Sequence, residues 1–365
     1  MRKKRILFAA VDIGYRIEHY TKFINTYLSD RLIAESFSKY ILPETHYKTK
    51  YTYSCPIDKT HPVILYLYSF SFFIFSLFRY DIFHFISGET ILTRKLRRFE
   101  FWVYKFFGKK IIMHFVGGDI RSALYLEWKR ENLEQYLKGV KKPKLTEDYQ
   151  DKLIKDTRKY ADNILVSTPD LLDIIPEAEY FPVVLDIDKL DKDSRKNSFT
   201  NINVIKVLHS PSGFELKGSE YINKVLDELK EIYQDKIELI LPGRDEKNRK
   251  IYSMTRYDLL ETFKETDIVI DQMLIGWYGL KSIEALASGC EAVCYIEKDF
   301  ERYFEKDNPI INANILNLKD ILVNLINKLI VSNNRLQRLD KNRSFVFRYH
   351  HIDMHKDFLK KIWLD

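Results

Sequence analysis

Cysteine is nearly missing from this chain. Its three residues, Cys55, Cys290 and Cys294, supply no disulfide framework, and Cys290-x-x-x-Cys294 has no second pair that would complete a zinc site. They read instead as small buried hydrophobes of a reducing cytosol. No G-x-G-x-x-G follows a predicted strand, so the fingerprint of a nicotinamide or flavin dinucleotide is absent. Long apolar runs are missing too. The start, Met1-Arg-Lys-Lys-Arg5, resembles a signal-peptide leader, but its apolar run from Ile6 to Val11 stops at Asp12 and suits a first strand better. A second run, within His61 to Phe78, falls short of the about 20 residues of a membrane-spanning helix. It suits a buried helix. The alternative is a face dipping among lipid headgroups, aided by the Arg94, Lys95, Arg97 and Arg98 cluster, and a full span fits least. No repeat of solenoid period occurs.

What is present points to a large globular chain. At 365 residues it exceeds one ordinary core, which predicts two domains, and 45% hydrophobic with 30% charged residues excludes disorder. The 24 tyrosines and 24 phenylalanines suit cores, stacking pockets and membrane-facing patches alike. A net charge of +7 fits an anionic partner, whether nucleotide phosphate, anionic lipid or nucleic acid. Nucleic acid is not expected, because the basic residues are dispersed and no recognition module is evident.

Strand and helix alternate twice along the chain. Ile6 to Ala10 predicts a first strand, with Gly14 in its exit loop and a helix over about Glu18 to Leu28. Asp81 to Ile86 and Lys110 to Phe115 predict further strands, the latter running into His114-Phe-Val-Gly-Gly-Asp-Ile-Arg121. Gly117 and Gly118 there let backbone approach a ligand, with Asp119 and Arg121 beside the sheet edge, or else form a structural turn. His114 alone reads more readily as a core histidine than as a base. Ala161 to Pro169 is another strand and turn. The polar stretch Leu190 to Asn203 marks a boundary, giving domains 1–188 and 189–344, with 345–365 as a terminal helical segment.

The second series is clearer. Val204 to Leu208 is a strand and Ser219 to Tyr233 a helix with Ser219 as its N-cap. Ile237 to Leu241 is the next strand, leaving through Pro242-Gly243-Arg244. Asp267 to Asp271, Leu280 to Ser288 and Ala292 to Ile296 then form strand, helix and strand. This spacing predicts doubly wound parallel sheets of an α/β protein. Lys217 stands just before one helix start, and Gly279 precedes another that begins at Leu280. With Arg244 nearby, two helix starts and a fixed ammonium form a candidate diphosphate cradle, the alternative for Lys217 being a surface lysine. Glu284 falls on the apolar helix face of Leu280, Ile283 and Ala287, where a carboxylate needs a partner: a structural Arg or Lys, a backbone donor, or a ligand.

These residues carry a resemblance. The H-x-P…K-G loop from His209 to Gly218, together with D-x-x-x-D-Q…G-x-x-G…E-A-x-A-x-G from Asp267 to Gly289, resembles the retaining nucleotide-sugar glycosyltransferases of the GT-B fold, family 4 and its relatives. HFVGGDIR in the first half is similar to the acceptor-side loop of bacterial cell-envelope members. The resemblance implies two Rossmann-like domains with a cleft, and transfer of a sugar from a nucleotide diphosphate, UDP- or GDP-linked, to a saccharide or lipid-linked saccharide in surface polysaccharide assembly. It implies no metal and no other cofactor, and a cytoplasmic location, with the membrane's inner face a possible site. Alternatives on the same fold are a nucleotide-sugar epimerase and a catalytically silent nucleotide-binding protein.

By the same resemblance, Glu284 accepts hydrogen bonds from the ribose and Lys217 neutralises the diphosphate, while Asp119 and His114 orient or deprotonate the acceptor. Gly279, Leu280, Tyr278 and Arg244 join the donor side, and Gly14, Gly118 and Arg121 the acceptor side. Two positions depart from the pattern. Gly276 stands where the family has its first carboxylate, and Ser212 where a second cation is common, which leaves Arg244, Arg121 or Arg16 to compensate. Trp277 and Tyr278 suit stacking on a base or sugar, or loop packing. The segment from Phe345 to Trp363 is similar to the family's last helix, which returns to the first domain.

Overall fold

A computed structural model describes residues 2–14, 16–39, 51–55, 61–137, 146–187, 204–215, 217–242, 254–303 and 307–364. Arg244 and the boundary stretch 190–203 lie outside them. The chain divides into two compact units, one of Met1–Ser122, Pro143–Leu185 and His355–Asp365, the other of Ala123–Lys142 and Asp186–Met354.

Among the described residues the first unit holds seven strands: β1 (Lys4–Ala10), β2 (Leu32–Ser38), β3 (Tyr53–Ser54), β4 (Ile82–Ile86), β5 (Lys110–Phe115), β6 (Asn163–Val166) and β7 (Glu179–Tyr180). They form one sheet in the order β3-β2-β1-β4-β5-β6-β7, every neighbouring pair parallel. β1, β4 and β5 are almost wholly buried, as near-continuous apolar runs in a two-sided sheet should be. β2 is less evident in sequence because Glu35 interrupts it. That carboxylate is ion-paired with Arg5 at 3.0 Å and Arg79 at 2.6 Å and accepts the Tyr80 hydroxyl at 2.7 Å. Burial opposes its charge, but these partners prevail and hold its pKa down at about 2.

The second unit has β8 (Ile205–Leu208), β9 (Ile237–Ile240), β10 (Ile268–Ile270), β11 (Glu291–Cys294) and β12 (Ile311–Asn312). Again all neighbours are parallel, in the order β12-β11-β10-β8-β9. Ile222, Leu226 and Leu229 of the Ser219–Tyr233 helix pack on this sheet together with Leu322 and Ile326 of the Leu318–Val331 helix. The helix predicted over residues 219–233 thus buries Ile222, Leu226 and Leu229, whereas Val225 is half-buried and Ile232, at the same helical spacing, is exposed.

Three expectations need revision. The helix Pro62–Arg79 is not buried all round: Phe72, Phe73 and Leu77 enter the core of the first unit while much of its other face is exposed. Phe345 to His350 belong to the Arg335–His350 helix of the second unit, and only the last turns, Lys356–Leu364, count with the first. There Trp363 is fully buried, its Nε1 donating to Nδ1 of His84 at 3.1 Å, and burial holds that histidine down at about 3. Gly218, at φ +71°, rather than Ser219, is the N-cap of the Ser219–Tyr233 helix. Ser219 is already inside the helix, its hydroxyl engaged by His209 Nε2 at 2.8 Å.

Candidate nucleotide site

In a parallel sheet all carboxyl ends share one edge, and a crevice opens where successive connections depart in opposite directions. In the second unit that point lies between β8 and β10, because the chain leaves β8 for β9 on one side and later returns to β10 on the other. The loops leaving these two strands carry the motif residues, and they are tied together. His209 Nδ1 lies 2.9 Å from the Ile270 carbonyl, Met273 N–H donates to the Lys217 carbonyl at 3.0 Å, and the Lys217 ammonium is ion-paired with Asp271. His209 is fully enclosed and held at about 3 by burial, so it is a neutral strut between the loops.

Asp271 sits at the centre. One oxygen meets Lys217; the other accepts Ser282 Oγ at 2.8 Å and the Gly279 N–H at 3.2 Å. Burial disfavours its charge, yet Lys217, Lys281 and these hydrogen bonds outweigh it and keep the carboxyl ionised below the usual range. Asp271 thereby fixes Lys217 at the mouth of the loop and Gly279 at the start of the Leu280–Ala287 helix. Neither that helix nor the Ser219–Tyr233 helix has a side-chain cap hydrogen bond. Two helix starts without N-cap side-chain hydrogen bonds, with Lys217 and the half-buried Lys281 beside them against the single buried carboxylate of Asp271, leave a net positive potential at one place.

Glu284 lies one turn further on, buried, and ion-paired with Arg256 from the first turn of the Arg256–Phe263 helix. Burial raises its pKa, while Arg256 and Lys281 work against the rise. The partner required by its apolar face is therefore an arginine. Tyr278 takes the packing alternative: it is buried, stacked on Trp277 with ring centroids 4.7 Å apart, and its hydroxyl lies 3.0 Å from His350 Nε2. This corrects its placement on the donor surface, since a ring only 3% exposed, stacked on Trp277 and tied through its hydroxyl to His350, presents no open face to a base. Gln272 shapes this loop. Its Oε1 accepts the Leu274 and Ile275 N–H groups, and its Nε2 donates to the Trp277 and Tyr295 carbonyls.

Glu297 packs against Gly276. A Cβ built on Gly276 would lie 3.0 Å from Oε2 of Glu297, and φ at Gly276 is +91°. The Glu297 backbone N–H donates to the Gly276 carbonyl at 2.9 Å. Lys129, 1% exposed, is ion-paired with Glu297 at 3.3 Å, and the Tyr136 hydroxyl donates to the same carboxylate. No spacing rule links Lys129, Tyr136 and Glu297 to Gly276, so the sequence pattern marks Gly276 and not its three neighbours.

The first unit repeats the topology, with its switch point between β1 and β4. Gly14, at φ +70°, lies in the β1 exit loop, and Arg16 Nη1 donates to the Ile13 carbonyl at 3.0 Å. Asp12, unremarked in sequence except as the end of an apolar run, is buried there. It accepts the Ile17 N–H at 3.2 Å, and burial pushes its pKa up to about 6. Asp119 folds its own loop, accepting N–H groups of Val116, Gly117 and Ile120 at 2.8–3.1 Å. Burial nevertheless raises its pKa. Arg121 is spent on Asp170 at 2.7 Å and Thr168 at 3.1 Å. Gly117 is the strained glycine, at φ +143° with Arg121 3.0 Å from its would-be Cβ, whereas Gly118 faces open space. His114 is fully buried, its Nε2 2.8 Å from Ser167 Oγ and its ring among Tyr20, His84 and Phe181. Burial holds it well below the usual histidine range, so the core alternative describes it and a direct role as acceptor base does not. Among the described residues no group of three or more His, Cys, Asp or Glu side chains is placed to hold a metal ion.

No protein-family model and no curated protein sequence matches the chain. Solved structures do. Sucrose-phosphate synthase from Thermosynechococcus elongatus aligns over 99% of this chain and 98% of its own, at 11% identity and a TM-score of 0.62. An alpha-glucosyltransferase in complex with UDP and a 13-mer DNA containing an HMU base aligns over 99% and 100%, at 12% identity and a TM-score of 0.61. Anabaena HepE in complex with UDP and glucose aligns over the full length of both, at 11% identity and a TM-score of 0.56. With two parallel-sheet α/β units, these likenesses give the fold as GT-B. They also remove the ground for excluding nucleic acid as a partner, because a protein of this fold is complexed with DNA.

Proposed function

We propose that this protein is a glycosyltransferase that binds a nucleoside diphosphate sugar at the β8–β10 switch point and transfers its sugar, with retention, to a saccharide or lipid-linked saccharide acceptor of bacterial surface polysaccharide assembly. The observation that carries the reading is the convergence of Lys217, Lys281 and two helix starts without side-chain caps on one crevice. Solved structures of the same fold bearing UDP or UDP-glucose support it.

The chemistry follows from charge. As the glycosidic bond to phosphate breaks, negative charge grows on the leaving diphosphate, and preplaced ammonium groups and helix N–H dipoles stabilise that state more than the ground state. Lys217 has this role, and Lys281 supplies the second cation absent at Ser212. With two fixed cations, transfer is expected to proceed without a divalent metal. Glu284, whose charged form Arg256 favours against burial, accepts from the ribose hydroxyls. Glu297 stands in for the carboxylate absent at Gly276 and faces the donor sugar. On the acceptor side Asp12 is the carboxylate best placed to orient a hydroxyl, since Asp119 is occupied by its own loop.

Turnover across UDP-, GDP- and other nucleotide sugars, with mono- and oligosaccharide, lipid-linked and DNA acceptors, tests this reading. Transfer from one donor with the anomeric configuration kept supports it. Nucleotide binding without turnover from any donor would establish the silent binding protein in its place.

A further inference from the structure

We infer that the first unit docks, in the plane of the interface, on a bilayer carrying anionic headgroups, through the outer faces of the Pro62–Arg79 and Arg97–Phe106 helices. Leu67, Phe70, Ile74 and Phe78 recur at three- and four-residue spacing on the first helix and are each more than two-fifths exposed. On the second, Trp102 and Phe106 are more than half exposed. The two sets join into one patch: Phe78 meets Phe107 at 6.2 Å between ring centroids, Phe107 meets Phe106 at 5.5 Å, and Phe106 meets Trp102 at 5.7 Å. A contiguous apolar surface of this kind on a soluble fold marks an interaction site.

Charge selects the occupant. The Pro62–Arg79 helix has no acidic residue, and the one acid of the neighbouring helix, Glu100, is buried and accepts from Ile91, Leu92 and Tyr104. Lys95 and Arg98 stand exposed beside the patch. Apolar and aromatic side chains rimmed by cations, without exposed acids on either helix, match an anionic lipid surface. Spanning is incompatible with the packing. Phe72, Phe73 and Leu77, on the opposite side of the first helix, belong to the core of the unit, so the helix lies on the fold and offers the membrane one face.

Flotation of the full chain with phosphatidylcholine vesicles, with and without about 30% phosphatidylglycerol, tests the inference independently of any transferase activity. The wild type is expected to float with anionic vesicles and to bind them less as salt rises. Lys95→Ala with Arg98→Ala should weaken this binding about 25-fold, about fivefold per charge. Phe78→Ser with Trp102→Ser should weaken it about tenfold or more. Both variants alter exposed side chains and should keep the wild-type circular-dichroism melt. Absence of wild-type binding to anionic vesicles, or binding unaltered in well-folded variants, would overturn the proposal. So would a concentration-dependent dimer that Phe78→Ser with Trp102→Ser dissolves, which would make the patch a contact between copies.

Discussion

Arg256→Ala isolates the electrostatics on which the nucleotide site rests. Glu284 is 3% exposed and Arg256 22%, so removing the arginine strands a carboxylate in an apolar helix face. Loss of one partner from a buried pair costs about 3–5 kcal/mol. At a urea m-value of about 2–3 kcal/mol/M, the unfolding midpoint of the full chain should fall by about 1–2.5 M near neutral pH. The pH dependence is the sharper signature. Burial already raises Glu284 above its unfolded value of about 4.3, so its relative stability is greatest below that value and is lost as pH rises through the folded one. Removing Arg256 enlarges the rise. The gap between wild type and variant should therefore be wide at about pH 7.5 and shrink towards about pH 5. Glu284→Gln in the same background should recover most of the loss at the higher pH. A gap under about 1 kcal/mol, or one indifferent to pH, would refute the argument that Arg256 offsets the cost of a charged, buried Glu284.

Asp12→Asn should stabilise the protein above about pH 6 and not at about pH 4.5. The buried carboxyl titrates at about 6, so its ionisation costs stability as pH rises, by about 2–3 kcal/mol; melts at the two pH values read this. Gly276→Ala should destabilise by about 1–3 kcal/mol, since φ is +91° and the new Cβ meets Glu297 at 3.0 Å. It should also impair sugar transfer more than nucleotide binding, and unaltered transfer would remove Glu297 from the donor sugar.

Periodicity and turn residues made most of the central strands legible: β1, β4 and β5, and then β8 to β11, are apolar runs bounded by polar loops. β2 was hidden by Glu35, whose partners Arg5 and Arg79 are distant in sequence, and β3, β7 and β12 are only two residues each. The site was legible where it is local. Lys217, Gly279 and Glu284 lie in loop or helix contexts that a linear pattern describes. Their partners Asp271 and Arg256 come from other elements, as do Lys129 and Tyr136 that hold Glu297 beside Gly276, and pairing across the fold has no linear signature. His114 and Tyr278 mark the opposite limit. A histidine at a strand end and a tyrosine in a glycine-bearing loop suit a site or a core equally until burial is known, and both proved to be core. The exposed face of residues 62–79 was undecidable for the same reason, because apolar content does not reveal which side meets the sheet.

The central claim is that the β8–β10 loops hold a nucleoside diphosphate through Lys217. Calorimetric titration of UDP and of uridine into wild type and Lys217→Ala tests it directly, with melts confirming that the variant is folded despite the loss of the Asp271 pair. UDP affinity should fall about tenfold to a hundredfold, as for a charged hydrogen bond, while uridine affinity changes little. Equal losses for the two ligands, or none for either, would contradict the account.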